Sequence, residues 1–192
     1  NFIGYTVNGN NNKQRFNQDL VTGCLTLLDI HINNVSINID ESQCEDSVNI
    51  IRATGRLNTV TVNNASNDAI DVDFSKLSFD NIIIKNSGND CIDLSYGDYY
   101  INNAALTGCV DKAISVGEKS NLTIDFSKIS NSNIGVVAKD SSVVKVGNVV
   151  NDDVAICFSA YNKKQEFWGG KIIVNNHNCQ PSQIYQKKNS LV

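Results

Sequence analysis

The chain has 192 residues, of which 41% are hydrophobic, and a net charge of −4 with a pI near 5.1. This length fits one domain with a substantial core rather than several domains. The acidic balance argues against nucleic acid or an anionic membrane surface as a partner, because both attract clustered Lys and Arg, whereas the 16 basic residues here are scattered.

The first residues, NFIGYTVNGNNNKQRFNQD, are polar and rich in Asn. They lack the basic head, apolar stretch and cleavage site of a signal peptide, and no run of eighteen apolar residues occurs anywhere in the chain. We therefore expect no membrane insertion, and we assign residues 1–22 to an N-terminal cap or first coil. The chain could be a fragment of a larger protein whose export signal lies outside it.

Six related segments follow, each with an apolar-x-apolar centre. The segments are EDSVNII (45–51), NDAIDVD (67–73), NDCIDLS (89–95), DKAISVG (111–117), SNIGVVA (132–138) and DDVAICF (152–158). Their first apolar residues are separated by steps of 22, 22, 22, 20 and 20, and these residues are Val48, Ile70, Ile92, Ile114, Ile134 and Val154. A repeat of this length predicts a solenoid, with coils over residues 23–176.

Each repeat contains three short segments that alternate in hydrophobicity. In one coil they are KAISVG, NLTID and SKISN, separated by turn-forming residues. Helical spacing is absent over any comparable stretch. The sequence therefore predicts an all-β fold, a right-handed single-stranded parallel β-helix with about 20–22 residues and three strands per coil.

A second column supports this register. Asn64, Asn86 and Gly108 recur at steps of 22, each directly after a short apolar segment. Asn and Gly both tolerate a left-handed backbone, and stacked Asn side chains can hydrogen-bond along the solenoid axis. We predict a structural turn ladder at these positions.

The six cysteines contain no CxxC pair and no His at zinc-ligand spacing, which argues against a structural zinc site. The separations are 20 (Cys24 to Cys44), 18 (Cys91 to Cys109) and 22 (Cys157 to Cys179), close to one coil. Partners could therefore lie on adjacent rungs within disulfide reach. Buried free thiols that act as small apolar residues are the alternative.

The acidic residues Asp71, Asp73 and Asp93 are the candidate catalytic residues. If Ile70 and Val72 face the core, alternation directs all three carboxylates outward, and Asp71 and Asp93 occupy the same position in neighbouring coils. Two carboxylates about 5 Å apart repel by roughly 1 kcal/mol in water. Such a group would splay into solvent, share a proton or bind a cation such as Ca²⁺, which makes these residues candidate calcium ligands as well.

Arg52 is a candidate substrate-binding residue in the coil before this acidic strip. It could neutralise the strip in an ion pair, which we favour, or bind a sugar carboxylate. In the repeat it aligns with Phe74 and Tyr96. Counted along the strand, these two residues alternate in step with the inward-facing Ile70 and Val72. We therefore expect an internal aromatic stack rather than a surface on which a sugar packs.

Two further residues are candidate ligand contacts. Asp90 belongs to a ladder at the turn that enters the first strand of each coil, where Asp usually caps backbone N–H groups; its members are Asp46, Asp68 and Asp90. Trp168 lies in a longer excursion, AYNKKQEFWGGK (160–171), where Phe167 and Trp168 either cap the end of the core, which we favour, or contact a ligand. Residues 177–192 are expected to form a C-terminal cap or tail.

The segments DAIDVDFSKLSFDNIII, GNDCIDLSYGD, DKAISVGEKSNLTI and IGVVAKDSSVV together resemble the right-handed parallel β-helix superfamily with the pectin-lyase-like fold. More narrowly, they resemble β-helix modules of bacterial proteins that also contain CotH-type kinase domains. The resemblance covers about residues 40–165. It implies the fold, but it implies no activity that could be assigned to particular residues of this chain.

The segment GNDCID (88–93) resembles the GDDC element of polygalacturonases, and this resemblance implies that Asp90 is a candidate acid. The GHG and RIK motifs of that family are missing. Pectate lyases would imply an acidic Ca²⁺ site beside an Arg, which the acidic strip and Arg52 imitate only loosely.

We expect a non-catalytic β-helix module that serves as a scaffold or as the carbohydrate- or protein-binding part of a larger bacterial envelope or polysaccharide-related protein. The partner would be a polysaccharide or a neighbouring protein domain, and an unpaired end coil would permit an axial homo-oligomer. One alternative is a polysaccharide lyase or glycoside hydrolase that acts on acidic polysaccharide through the strip. The other is an adhesin or spike-type solenoid.

Overall fold

The computed structural model describes residues 21–192, which form a parallel β-solenoid of about seven turns. The strands are β1 Gly23–Leu28, β2 His31–Ser42, β3 Asp46–Ile51, β4 Thr54–Ala65, β5 Asp68–Asp73, β6 Lys76–Ser87, β7 Ile92–Ser95, β8 Asp98–Cys109, β9 Lys112–Gly117, β10 Asn121–Lys139, β11 Val143–Tyr161, β12 Lys171–His177 and β13 Ile184–Gln186. One 3₁₀ helix covers Pro181–Gln183. Within the described part, no helix has the length and apolar character needed to cross a membrane.

Each of the first four coils combines a short strand with a longer one of 12 residues. In the coil formed by β5 and β6, three pairs of side chains point into the core, namely Ile70 with Val72, Leu77 with Phe79, and Ile82 with Ile84. The bend after Phe79 divides β6 into two straight segments. The predicted three segments per coil are thus present, although two of them share one continuous strand.

All strand pairings are parallel. The sheet order is β1-β3-β5-β7-β9-β10-β8-β6-β4-β2, and β11 pairs with β10, β12 and β13. The strands β10 and β11 have 19 residues each, so they continue through a corner and pair on two sides of the coil. Coils stacked in this way satisfy one another's backbone groups, and their inward side chains form one continuous core.

The column of core residues on the short strands keeps its step of 22 residues from Ile114 to Phe158. Ile114 pairs with Val136, and Val136 pairs with Phe158. The predicted steps of 20, to Ile134 and Val154, are therefore wrong. SNIGVVA contains two overlapping apolar-x-apolar patterns, and a shift by two residues preserves which side chains point inward.

Two columns of left-handed residues form corners of the coil. In the first column φ lies between 46° and 53° at Asp29, Arg52, Phe74, Tyr96, Glu118 and Asp140. The second column contains Glu41, Asn64, Asn86, Gly108, Asn131 and Asp153. Asn86 Nδ2 donates to Asn64 Oδ1 at 2.9 Å, which confirms the predicted Asn ladder.

All six cysteines form disulfides, so the disulfide alternative is confirmed and the free-thiol alternative is wrong. The pairs are Cys24–Cys44, Cys91–Cys109 and Cys157–Cys179. The first cysteine of each pair directly precedes the same core column, which contains Leu25, Ile92 and Phe158. One cross-link therefore closes a coil at every third turn.

The C-terminal residues continue the stack beyond β12. The strand β13 pairs with β11, Gln183 Nε2 donates to the carbonyl of Val154 at 2.8 Å, and Ile172 N donates to the carbonyl of Leu191 at 2.8 Å. Residues 177–192 thus pack on the last full coil. The predicted N-terminal cap, residues 1–22, lies outside the described residues except for its last two positions.

Candidate functional site

The acidic strip lies on the outer face of the short strands. Asp71 and Asp93 are register partners on β5 and β7, and Asp73 follows two residues after Asp71. Ile70 and Val72, which flank Asp71, are completely buried in the core, as alternation requires. The structure therefore brings the three predicted carboxyl groups together, and each is half-buried.

Neighbouring coils supply the polar contacts of this strip. On one side Asn49, which is 2% exposed, donates from Nδ2 to Asp71 Oδ2 at 3.1 Å. On the other side the ammonium of Lys139 lies 3.6 Å from Asp93 Oδ1 and donates to Ser115 Oγ at 2.8 Å. The cation beside Asp93 is thus a buried lysine two coils further along the solenoid.

The alkyl chain of Lys139 passes over Gly117. A Cβ atom at Gly117 would lie 2.8 Å from Lys139 Cε, so a side chain at this position would require the lysine side chain to shift. Sequence reasoning missed Lys139 because the register error of two residues displaced it. With steps of 22, Lys139 falls in the column of Asp73 and Gly117.

The strip contains carboxyl groups with separated pKa values. Burial, with added repulsion from Asp73, Asp46 and Asp93, raises the pKa of Asp71 to about 9. Burial, with repulsion from Asp93 and Glu118, raises the pKa of Asp73 to about 6. At neutral pH Asp71 is therefore protonated, whereas Asp73 is mostly ionised.

The geometry gives the strip no cluster of metal ligands. Within residues 21–192, no group of three or more His, Cys, Asp or Glu side chains is placed to hold a metal ion. The ammonium of Lys139 supplies positive charge beside Asp93. Calcium binding by Asp71, Asp73 and Asp93 stays a prediction.

Arg52 does not contact the acidic strip. Its Nε and Nη2 donate to the two carboxylate oxygens of Asp29 at 2.6 and 2.7 Å, one coil towards the N-terminus. The favoured ion pair between Arg52 and the strip is therefore wrong. Arg52 lies at the left-handed corner, and its guanidinium turns towards Asp29 in a solvent-exposed pair.

Asp90 is a structural residue of the ladder between coils. Its Oδ1 accepts from the backbone N–H and the ammonium of Lys112, and Asp90 N itself donates to Asp68 Oδ1 at 2.8 Å. Burial raises the pKa of Asp90 to about 6. Because Asp90 is only 3% exposed, it is not available to a polymer ligand. The capping role predicted for this ladder is confirmed, with the capped N–H groups on the next coil.

Two aromatic rings stack on the outside of the first corner. Phe74 and Tyr96 have ring centroids 4.7 Å apart, an interplanar angle of 8°, and exposures of 55% and 41%. The predicted internal stack is therefore wrong. Both residues have positive φ, which interrupts the alternation of the strand and turns the side chains to solvent. Phe167 packs edge-on against Tyr96 at 6.4 Å, and we call Phe74, Tyr96 and Phe167 the aromatic corner.

The Trp168 loop, residues 162–170, lies beside the aromatic corner. The buried Asp140 accepts hydrogen bonds from the backbone N–H groups of Lys163 and Lys164. Trp168 N donates to Ser141 Oγ and Ser141 N donates to the carbonyl oxygen of Trp168, both at 2.8 Å. Although the backbone is held in this way, Trp168 is 74% exposed. The expectation that Trp168 caps the end of the core is therefore wrong.

Comparisons with protein-family models, with curated proteins and with solved structures find no match for this chain. The functional conclusions therefore depend on two surfaces of the structure itself, the acidic strip and the aromatic corner with its adjoining loop.

Proposed function

We propose that this chain is a non-catalytic carbohydrate-binding module whose glycan ligand contacts the aromatic corner. The observation that carries the proposal is the exposed stack of Phe74 and Tyr96 on a rigid corner of the solenoid. Exposed aromatic patches with polar surroundings are typical of ligand sites, because a ring combines a large apolar face with little side-chain entropy to lose.

One face of Phe74 remains open to a ligand. Its other face packs on Tyr96, and no second ring packs on Phe74 among the described residues. The next coil towards the N-terminus places Arg52 at the same corner, but its guanidinium is turned away to Asp29. A sugar ring could therefore pack its C–H face on Phe74 while its hydroxyl groups reach this ion pair.

The scaffold favours binding because the rings are already in place. Their backbone is hydrogen-bonded from coil to coil, with Arg52 N donating to Asp73 O and Phe74 N donating to Ser95 O, both at 3.0 Å. A preorganised surface loses less conformational entropy when it binds. This supports a binding module rather than a flexible linker.

The three disulfides support a location in an oxidising compartment, since such bonds are rare in the cytosol. We propose an extracellular or envelope location and a place within a larger polysaccharide-related protein. The kinship with pectin-lyase-like proteins and with bacterial CotH-associated modules belongs to the same proposal, and its support is the solenoid fold together with the repeat segments quoted above.

The test is isothermal titration calorimetry of the purified chain with soluble xylan, mixed-linkage β-glucan, mannan and homogalacturonan. We expect at least one polysaccharide to bind, and we expect Phe74→Ala to weaken that binding about tenfold, which corresponds to about 1.4 kcal/mol. Phe126→Ala is the matched control, because Phe126 is also an exposed phenylalanine but lies at another bend. Absence of binding to all four polymers, or equal losses in both variants, would overturn the proposal.

The second candidate function is hydrolysis or lysis of a polysaccharide at the acidic strip. The observation that favours it is the pairing of a carboxyl with a pKa of about 9, Asp71, with one of about 6, Asp73. Neighbouring carboxyls with different protonation states are typical of acid–base catalysis. The same polysaccharides test it: release of reducing ends that stops in Asp71→Asn would favour this function over simple binding.

A further inference from the structure

A cleft lies between the Trp168 loop and the C-terminal residues. It has a volume of about 370 Å³, and its lining includes Asn162, Gln165, Glu166, Phe167, Trp168 and Asn189. This volume lies within the range of small-molecule sites in proteins. The cleft is separate from the acidic strip, and Phe167 belongs both to the cleft and to the aromatic corner.

The polar side chains of the cleft are free to bind. Asn162, Gln165, Glu166 and Asn189 are all exposed, and none of these side chains forms a hydrogen bond with another residue in the described part of the chain. Amide groups offer donors and acceptors together, which suits sugar hydroxyl groups that do both. The indole of Trp168 adds a flat apolar face beside them.

The cleft is held open by contacts that do not involve its polar side chains. Asp140 and Ser141 fix the loop backbone from beneath. A Cβ atom at Gly169 would lie 2.1 Å from Ser190 Oγ and 2.3 Å from the carbonyl oxygen of Asn189, so the loop approaches the C-terminal residues as closely as a glycine permits. Such a site does not have to form when the ligand arrives.

The charges around the cleft favour a neutral ligand. Glu166 is the only charged residue among the lining residues. Of the two lysines in the loop, Lys163 does not line the cleft, and Lys164 is paired with Glu118 at 2.7 Å. A uronic acid in the cleft would meet the carboxylate of Glu166 without a cation in the lining to balance it.

We propose that this cleft binds one neutral sugar ring of a glycan chain, which stacks on Trp168 and hydrogen-bonds to the amides of Asn162, Gln165 and Asn189. The inference rests on the proposed carbohydrate-binding function and adds to it a second contact point and the charge class of the ligand. Through Phe167, the cleft adjoins the aromatic corner, so one glycan chain contacts both.

The test is calorimetry with neutral hexasaccharides (cellohexaose, xylohexaose and mannohexaose) and with acidic hexagalacturonate. We expect a neutral hexasaccharide to bind most tightly and Trp168→Ala to weaken it about tenfold, as one lost stacking contact of about 1.4 kcal/mol would do. Asn189→Gly removes the amide but keeps the positive φ at this position, and should also weaken binding. Glu166→Gln should improve hexagalacturonate binding, because it removes the carboxylate that repels a uronic acid in the cleft.

The variants separate this inference from the proposed function. Loss of binding in Phe74→Ala but not in Trp168→Ala or Asn189→Gly would overturn the cleft and leave the aromatic corner intact. Tighter binding of hexagalacturonate than of every neutral hexasaccharide would overturn the neutral ligand class. Failure of every oligosaccharide to bind the unmodified chain would overturn both. Unchanged circular dichroism melting of each variant confirms that it has folded.

Discussion

Asp73 and Phe74 are adjacent in the chain but belong to surfaces with opposite properties. Asp73 is the last residue of β5 and part of the half-buried acidic strip, and burial raises the pKa of its carboxyl to about 6. Phe74 is the first residue of the corner, where a positive φ turns its ring to solvent. The strip depends on contacts among five neighbouring coils, whereas the corner presents side chains outward. We therefore expect substitutions in the strip to change stability and those at the corner to change binding.

Replacement of Lys139 should have the largest effect on stability. In Lys139→Met the alkyl volume over Gly117 is kept, but Asp93 loses the ammonium beside it and Ser115 loses a donor. Breaking a buried ion pair costs about 3 kcal/mol. For a chain of this length that corresponds to a fall in Tm of about 6–12 °C, measurable by calorimetry.

A matched control and a rescue sharpen this expectation. Lys128→Met removes an exposed lysine and should change stability by less than about 0.5 kcal/mol. The double variant Lys139→Met with Asp93→Asn should recover most of the loss, because no unbalanced carboxylate remains. If both lysine variants melt at the same temperature, Lys139 does not balance the strip.

The acidic strip should also make the protein more stable in mild acid than in base. The folded-state pKa values of Asp71 and Asp73, about 9 and about 6, are higher than that of an unfolded Asp, about 3.9. Between these values the folded state binds more protons than the unfolded state, so stability falls as the pH rises from about 5 to about 9. We expect the free energy of unfolding to decrease by more than about 1 kcal/mol over this pH range, which corresponds to a fall in Tm of at least about 2–4 °C.

Asp71→Asn tests the origin of this dependence. Asn resembles the protonated carboxyl in shape but does not ionise, so the variant should lose much of the decrease in Tm between about pH 6 and pH 9. A Tm of the unmodified chain that is constant or rises over this range would show that Asp71 is ionised in the folded state.

The core could be predicted from the sequence because it repeats. The apolar-x-apolar centres predicted a coil of 22 residues, and the repeated Asn64 and Asn86 predicted one of its corners. The structure confirms both predictions. The later steps were wrong because a shift by two residues keeps the inward parity of a strand. The cysteines contained the missing information, since Cys91 and Cys157 are 66 residues apart, which is three coils of 22.

The corner could not be predicted by alternation alone. Phe and Tyr rarely adopt positive φ, so nothing in their chemistry indicates that Phe74 and Tyr96 leave the strand. A subtler signal was present. The core residues Val72 and Leu77 are separated by five positions, an odd number, so the strand must change parity between them. The small residue Ser75, buried just inside the corner, marks the place.

Phe74→Gly should have the smallest effect on stability and provides the sharpest contrast with the strip. The substitution removes the stack with Tyr96, which stabilises the fold by about 1 kcal/mol. It also removes the strain of a non-glycine residue at positive φ, which costs about 1–2 kcal/mol. These effects oppose each other, so we expect the melting temperature to shift by only a few degrees while glycan binding falls as in Phe74→Ala. Phe74→Val, with a β-branched side chain unsuited to positive φ, should instead destabilise the chain. If Phe74→Gly melts as far below the unmodified chain as Lys139→Met does, the corner supports the fold as much as the strip, and the division of roles between the two surfaces is wrong.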